Sequence, residues 1–356
     1  MVIGAVLLIA ACNGEAEELP PAEEPAPSEE AAATEEAAAT EEAPSEAPAE
    51  EPEDADGPML DEPFTLEMAS VPYFGPEYIA AAQGFDERYN LTIDITQLAD
   101  LGTPAVQAVV TGQVQTWQST ALDTWFQAIE GDADIVGVMA GQKSGNGFDV
   151  YRYYVRADSD IQGPEDLPGA IMGIISPGSY GDIPMDVYLL EGGQEPGDVD
   201  RLAVPFGELQ QALLTESVDV LAAWDAVYSR LEDEHGDEVR LLFADKDVLP
   251  IDQWGTSYGF AREFIEERPD VVRAYIAAMQ DAVAFIESNP DEAKVIIEEA
   301  TGVSAESLVV PSYADGLCID LDLIPTWAEI FQDLGLSALT AERAEDHFTN
   351  EFNTAC

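Results

Sequence analysis

The chain has 356 residues and a formal charge of −59, from 72 acidic and 13 basic side chains, with 46% hydrophobic residues. A surface that acidic repels nucleic acid and anionic lipid headgroups, which excludes nucleic-acid binding as a function class. The apolar fraction is enough to give each of two ordinary domains a core.

Residues 1–11 form an apolar run, MVIGAVLLIAA. A bilayer span takes about 20 residues, so the run is too short to cross and has the length of a signal-peptide core. Ile9, Ala10, Ala11 and Cys12 place two small residues before a cysteine, which resembles the bacterial lipobox. That resemblance implies cleavage before Cys12 and attachment of lipid to it. No Lys or Arg precedes the run, as a start codon assigned too late would leave it. The plainer alternative is a buried N-terminal strand with an incidental cysteine.

Residues 13–58 carry fifteen Glu, two Asp, eight Pro and no Lys or Arg, with EEAAAT written twice from Glu29 to Thr40. Such a stretch cannot bury enough apolar area to offset its ordering entropy, and its like charges and prolines favour extension. Residues 12–58 are therefore expected to be a lipidated cysteine and a disordered acidic tether. Subtracting those 17 acids from 72 leaves 55 against 13 bases, or −42, for the remainder. Self-repulsion of that size suits a salty habitat, where screening shortens its range, or simply a lineage of acidic proteins.

From Phe64 the pattern changes to β runs alternating with helical runs: TLEMAS, PEYIAAAQ, LTIDI, PAVQAVVTG, VQTWQ and ALDTWFQAI. Alternation with short links predicts an α/β fold, a mainly parallel sheet covered by helices, with ligands outside the carboxyl ends of the strands. Thr103 and Pro104 supply an N-cap and an N1 proline, and Gly112 ends that helix. After ADIVGVMA a glycine-rich link, GQKSGNG, leads into a second round: DVYRYYVR, AIMGII, a helix from about Tyr180 to Glu191, DRLAV, a helix after Gly207, DVLAAW and VRLLFA. SYGFAR then reads as a strand, and from Glu263 onward the pattern is almost wholly helical. If SYGFAR returns to the first sheet, the chain crosses between two lobes twice and builds a hinge. The expected division is 59–147 for the first part of lobe 1, 148–246 for lobe 2, and 247–356 for the return to lobe 1 and the C-terminal helices.

Five segments follow in a telling order. SVPYFGPEYIAAAQGFDERYNLTIDI is a strand, a proline and aromatic loop and an Ala-rich helix into a GF step; AVQAVVTGQVQTWQSTALD is a Gly-terminated helix, a strand and a small-residue loop. SDIQGPEDLPGAIMGIISPGSYG, LQQALLTESVDVLAAWDAVY and REFIEERPDVVRAYIAAMQDAVAFIESNPDEA complete the series. Over residues 64 to about 300 this order and spacing resemble the solute-binding proteins of ABC importers for nitrate, sulfonate, taurine and bicarbonate. The resemblance implies a two-lobed periplasmic-binding-protein type II fold. It also implies a small-molecule solute, an ABC importer permease as partner, contact with the membrane through the lipid anchor alone, a monomer, and no cofactor. Gln115 stands where the family usually has Asp, and the tail from Val303 has no counterpart. Related pyrimidine-precursor synthases share the fold but carry a cysteine-rich active segment that is absent here.

Pocket candidates come from loops at strand ends. Pro72, Tyr73 and Phe74 follow the first strand and Ser119 and Thr120 the third; Ser176, Gly178, Ser179 and Tyr180 lie across the cleft. A Ser/Gly turn leading into a helix points backbone N–H groups at a ligand anion, or it is a plain N-cap. Trp224 and Asp225 end a strand of the second lobe, and Trp254 and Tyr258 flank the return crossover. Aromatic faces on both lobes could sandwich a planar or apolar ligand, although each Trp alone is more often core than pocket. Asp225 pairs a ligand ammonium or, more commonly for such a position, caps the next helix. Arg152, Arg156 and Arg201 stand at no strand end assigned to the cleft, which favours a zwitterion, a monoanion or a neutral heterocycle over a multiply charged anion.

The three cysteines show no metal-binding spacing. An exported location permits Cys318 and Cys356 to bond, and the bridge would add roughly 3 to 4 kcal/mol; two free buried thiols are the alternative. Three functions compete: a transport receptor, a periplasmic sensor for a signalling partner, and an enzyme on the same fold. For the enzyme the chain offers His235 and His347, without HExxH, GxSxG or a Walker loop.

Overall fold

The computed structural model describes residues 60–70, 73–97, 103–145, 147–175, 180–249 and 255–356. The expected signal segment, Cys12 and the tether lie outside the described residues.

A first sheet begins with β1 (Phe64–Ser70), β2 (Leu91–Gln97), β3 (Thr116–Trp117), β4 (Thr120–Ala121) and β5 (Ile135–Ala140), linked through α1 (Pro76–Gln83), α2 (Thr103–Val110) and α3 (Leu122–Glu130). Pro76 starts α1, where its missing N–H costs nothing, and Gly84 ends it at φ +66°, a conformation that suits glycine. β1 alternates at its start and is wholly buried over its last three residues, while β5 is buried throughout. The carboxyl ends of β1 and β5 are thus covered on both faces, while that of β2 is exposed.

β6 (Gln142–Lys143) opens the crossover. β7 (Tyr151–Arg156), β8 (Ile171–Ile174), β9 (Asp200–Ala203), β10 (Val220–Trp224) and β11 (Val239–Ala244) then form a second sheet in the order β11-β7-β10-β8-β9. α4 (Ile183–Glu191), α5 (Leu209–Leu214), α6 (Asp225–His235) and α7 (Asp245–Val248) alternate with or follow these strands. β12 (Thr256–Ala261) returns to the first sheet, beside β3 and β4, and also pairs with β5.

Strand direction explains where the two sheets meet. β1 is parallel to β2 and β3, and β8 is parallel to β9 and β10. β12 is antiparallel to β3, β4 and β5, and β7 is antiparallel to β10 and β11. Each sheet is a parallel set with one reversed strand, and that strand is the one arriving from the other sheet. A chain leaving the carboxyl end of β5 reaches β7 through residues 141–150 and starts it beside the carboxyl end of β10, where Tyr151 pairs with Trp224. Residues 245–255 repeat the arrangement from β11 to β12, whose Thr256 pairs with Ala121. Both sets of carboxyl ends therefore lie at the crossovers, the location in which open α/β sheets bind ligands.

The rest of the chain supports the first sheet: α8 (Arg262–Glu267), α9 (Pro269–Ser288), α10 (Pro290–Thr301), β13 (Ser312–Tyr313), α11 (Ile324–Asp333) and α12 (Ala341–Glu345). Val272, Tyr275, Ile276, Met279, Val283 and Ile286 repeat at helical spacing on the buried side of α9. The tail is less wholly helical than its pattern suggested. β13 pairs antiparallel with β6, supplying partners to crossover backbone that would otherwise lack them. Near the end, Gly137 N–H donates to His347 O at 2.8 Å and Thr349 N–H to Gly137 O at 2.9 Å. Phe348 lies where a Cβ on residue 137 would stand, 2.5 Å from the ring, so this close approach requires glycine. A disulfide joins Cys318 to Cys356 and holds the tail to itself.

One buried cluster packs β1, β2 and β12 against α1, α9 and α10. Another runs from Trp117, Trp125 and Phe126 through Tyr180 and Tyr153 to Met172 and Phe243, so buried apolar contact is continuous from one sheet to the other.

Candidate functional site

The first cluster of polar side chains follows β1. Glu77, in the first turn of α1, is completely buried and folds back beside Gly75, where an added Cβ would stand 2.5 Å from its Oε2. Ser70 Oγ donates to Glu77 Oε1 at 3.2 Å, and Tyr73 and Tyr258 hydroxyls donate to Oε2 at 3.1 and 3.3 Å. The two tyrosine hydroxyls are 2.9 Å apart, and Ser70 Oγ also reaches Gln118 Oε1 at 2.9 Å. Burial pushes the Glu77 carboxyl up to about 7 against the pull of these hydrogen bonds. Burial, then the neighbouring Glu77 charge, raises both tyrosines well above their ordinary value.

The second cluster follows β4. Asp123, in the first turn of α3, is 5% exposed. Its carboxylate accepts first-turn backbone N–H groups, yet Oδ1 has no hydrogen-bond partner. Burial pushes this carboxyl up to about 6 against those N–H groups, and the charge of Asp182 adds to the rise. Asp182 belongs to the turn before α4, on the second sheet, and Tyr180 in the same turn also feels the Asp123 charge. Side chains leaving the two sheets therefore stand within electrostatic reach of one another.

Around Tyr180 the second sheet builds an aromatic wall. The Tyr151 ring centroid lies 5.8 Å from that of Tyr180 and 6.4 Å from that of Trp224. Tyr153 OH donates to Gly181 O at 2.6 Å and fixes the turn. On the facing side Ser119 Oγ is buried without a partner. A Cβ on Gly141 would be 1.8 Å from that oxygen and 2.1 Å from Thr256 Oγ1, so glycine is needed for the two hydroxyls to converge there. Trp117 and Trp125 also have unpartnered Nε1 atoms, but their tilted rings lie 4.8 Å apart and Trp125 packs against Gly259 and Phe348 within the first sheet's own core.

Contrary to the expectation, Arg152 does stand near a strand end, pairing with Ala223 of β10, but the arginines and Lys246 here are committed to ion pairs. Arg152 Nε bonds Asp149 at 2.8 Å and its Nη1 bonds Glu232 at 3.0 Å. Arg201 bonds Asp182 at 3.3 Å and also Asp186, and Lys246 bonds Asp149. Lys143, on β6, stands opposite Ser312 of β13.

The expected pocket residues divide accordingly. Tyr73 and Tyr258 meet at Glu77, while Tyr180 and Trp224 meet at Tyr151. Ser119 sits beside Gly141, and Thr120 Oγ1 donates to Gln118 O at 3.2 Å. Phe74 and Tyr258 require correction as contact surfaces: both are 0% exposed and lie in the core around α1, which leaves neither ring a face for a solute. Pro72, Ser176, Gly178, Ser179 and Trp254 lie outside the described residues, as does the side chain of Asp225, although α6 begins there. Sequence reading missed Glu77, Asp123 and Tyr151. Asp123 could have been found as the acid three residues beyond the Ser119–Thr120 pair, at the start of a helix. Among the described residues no group of three or more His, Cys, Asp or Glu could hold a metal ion, and no helix is long and apolar enough to cross a membrane.

Comparison with known proteins places this geometry. The family model described as NMT1/THI5 like matches residues 71–293. Curated relatives in Brucella abortus, named as candidate binding proteins, are 24% identical over 214 residues; the match spans 60% of this chain and 63% of theirs. The periplasmic aliphatic sulphonate binding protein SsuA from Escherichia coli superposes with a TM-score of 0.66 at 19% identity, over 81% of this chain and 93% of that one. The periplasmic nitrate-binding protein NrtA from Synechocystis PCC 6803 gives 0.64 at 13% identity, over 82% and 87%. The desulfurization enzyme DSZB shares the fold as well, with a TM-score of 0.61 at 15% identity, over 81% and 97%.

Proposed function

Because the chain belongs to the NMT1/THI5-like family, we propose that it is an extracytoplasmic solute-binding protein. It holds a small solute of the nitrate, sulfonate or taurine-like class between the strand ends of its two sheets and delivers it to the permease of an ABC importer. The observation that carries this reading is that the strand carboxyl ends of both sheets meet at the two crossovers, where Tyr151 pairs with Trp224 and Thr256 with Ala121. At these ends Asp123 Oδ1 and Ser119 Oγ are buried without a partner, which leaves two acceptors for a ligand.

Ligand that touches both lobes shifts the equilibrium of the two crossovers, acting as hinges, toward closure by its extra affinity for the closed state. The importer then reads closure. Cys12 serves as the lipid anchor and residues 13–58 as a tether, with the receptor working as a monomer outside the membrane. DSZB has the same fold, so the non-enzymatic reading rests on side chains: His235 bonds exposed Glu238 and His347 bonds Ile135 O, neither of them at Asp123.

Thermal melting with small-angle scattering tests the proposal on the Cys12→Ser protein. A solute at a hundred times its Kd adds about 2.7 kcal/mol of stability, and the same solute should lower the radius of gyration. A stabilising solute that leaves the scattering curve unchanged would argue against a closing cleft. Metabolic labelling with a radioactive fatty acid tests the anchor separately, since Cys12→Ser should abolish incorporation.

A further inference from the structure

We infer that the solute presents a protonated amine to Asp123, so the ligand is a small ammonium cation or a zwitterion carrying one rather than a plain anion. The inference deepens the solute-binding reading and rests on it.

Three independent features converge. Asp123 is 5% exposed, and its Oδ1, a hydrogen-bond acceptor, has no partner. A buried carboxylate oxygen left that way loses its hydration without return, and a ligand N–H restores what burial removed. Tyr180 feels the Asp123 charge, and the Tyr151 ring lies 5.8 Å from that of Tyr180 and 6.4 Å from that of Trp224, so a group of aromatic rings that can attract a cation stands within electrostatic reach of Asp123. Finally, the two arginines near these strand ends are already paired: Arg201 with Asp182 and Asp186, and Arg152 with Asp149 and Glu232. Asp245, buried at the second crossover and bonded by Ser144 Oγ at 2.8 Å, adds its charge at Tyr180. Carboxylates and aromatic faces favour a cationic group, and the unpartnered acceptor asks for one bearing N–H.

Three matched probes separate the possibilities: ethylammonium carries the amine alone, ethanesulfonate the sulfonate alone, and taurine both. At constant ionic strength, ethylammonium or taurine should raise the Tm and give a calorimetric binding curve, while ethanesulfonate should give neither. Asp123→Asn keeps the shape and removes the charge, and it should weaken the amine-bearing probe at least thirtyfold, roughly what loss of a buried charge partner costs. Tyr151→Leu should weaken it by a smaller factor. Equal binding of taurine and ethanesulfonate, or amine binding that Asp123→Asn does not change, overturns the inference and leaves the receptor reading intact. Silence from all three probes overturns it too; native mass spectrometry of the purified protein then decides the receptor reading by whether any small molecule is retained.

Discussion

Glu77 and Asp123 occupy matching positions, each in the first turn of a helix that leaves the carboxyl end of the first sheet, yet they are opposites in hydrogen bonding. Glu77 is 0% exposed and receives three hydroxyl donors, whereas Asp123 is 5% exposed and keeps Oδ1 unpartnered. Burial raises both carboxyls, to about 7 and about 6. The difference teaches that a shifted acid is not by itself a site. A saturated carboxyl is part of the frame, because its network is complete without a ligand, while an unsaturated one at a crossover has capacity left for a solute.

The largest effect expected from this contrast is in Glu77→Ala, which strands the Ser70, Tyr73 and Tyr258 hydroxyls around a void. It should cost about 4 kcal/mol in chemical denaturation. A cost below about 1 kcal/mol would place Glu77 outside the frame. The frame is also held by the tail, so Cys318→Ser combined with Cys356→Ser should cost about 3 to 4 kcal/mol by the loop-closure model; unchanged denaturation would show that the tail contributes little.

Proton linkage offers a finer separation. Glu77 has a folded pKa of about 7 against an ordinary 4.5, so the native state holds its proton longer than the unfolded chain does. Its contribution is fully present below pH 4.5 and is lost as the pH rises through about 7, a loss of about 3 kcal/mol at most. Glu77→Gln should therefore flatten the decline of stability between pH 5 and pH 8, and an unaltered slope would refute the assignment. The smallest change is expected for Asp123→Asn, which removes an incompletely satisfied charge: stability without solute should stay within about 1 kcal/mol of the parent or rise. A loss comparable to that of Glu77→Ala would make Asp123 structural and erase the contrast.

Much of this architecture was legible in the residues. The runs DVYRYYVR, VRLLFA and SYGFAR became β7, β11 and β12, and β12 does return to the first sheet. Alternation of β and helical periods is a local property, read within a dozen residues, and the order of such segments is enough to specify an α/β chain. Tyr73, Ser119, Tyr180 and Trp224 were assigned to strand ends or the loops after them by the same logic, and that is where the structure puts them. Asp123 was within reach as an acid just after the Ser119–Thr120 pair, but its contrast with Glu77 was not, because nothing in the local pattern of PEYIAAAQ or ALDTWFQAI distinguishes a saturated acid from an orphaned one. That distinction depends on Tyr258 arriving beside Tyr73 from 185 residues away, and on the turn at Tyr180 and Asp182 arriving opposite α3. Sequence alone determined most of the strands and helices and made a double crossing conditional on where SYGFAR pairs, which the structure resolved. Tertiary structure decided which buried acid keeps a free oxygen, because hydrogen bonding inside a protein is settled by strand order and reversal rather than by neighbours along the chain.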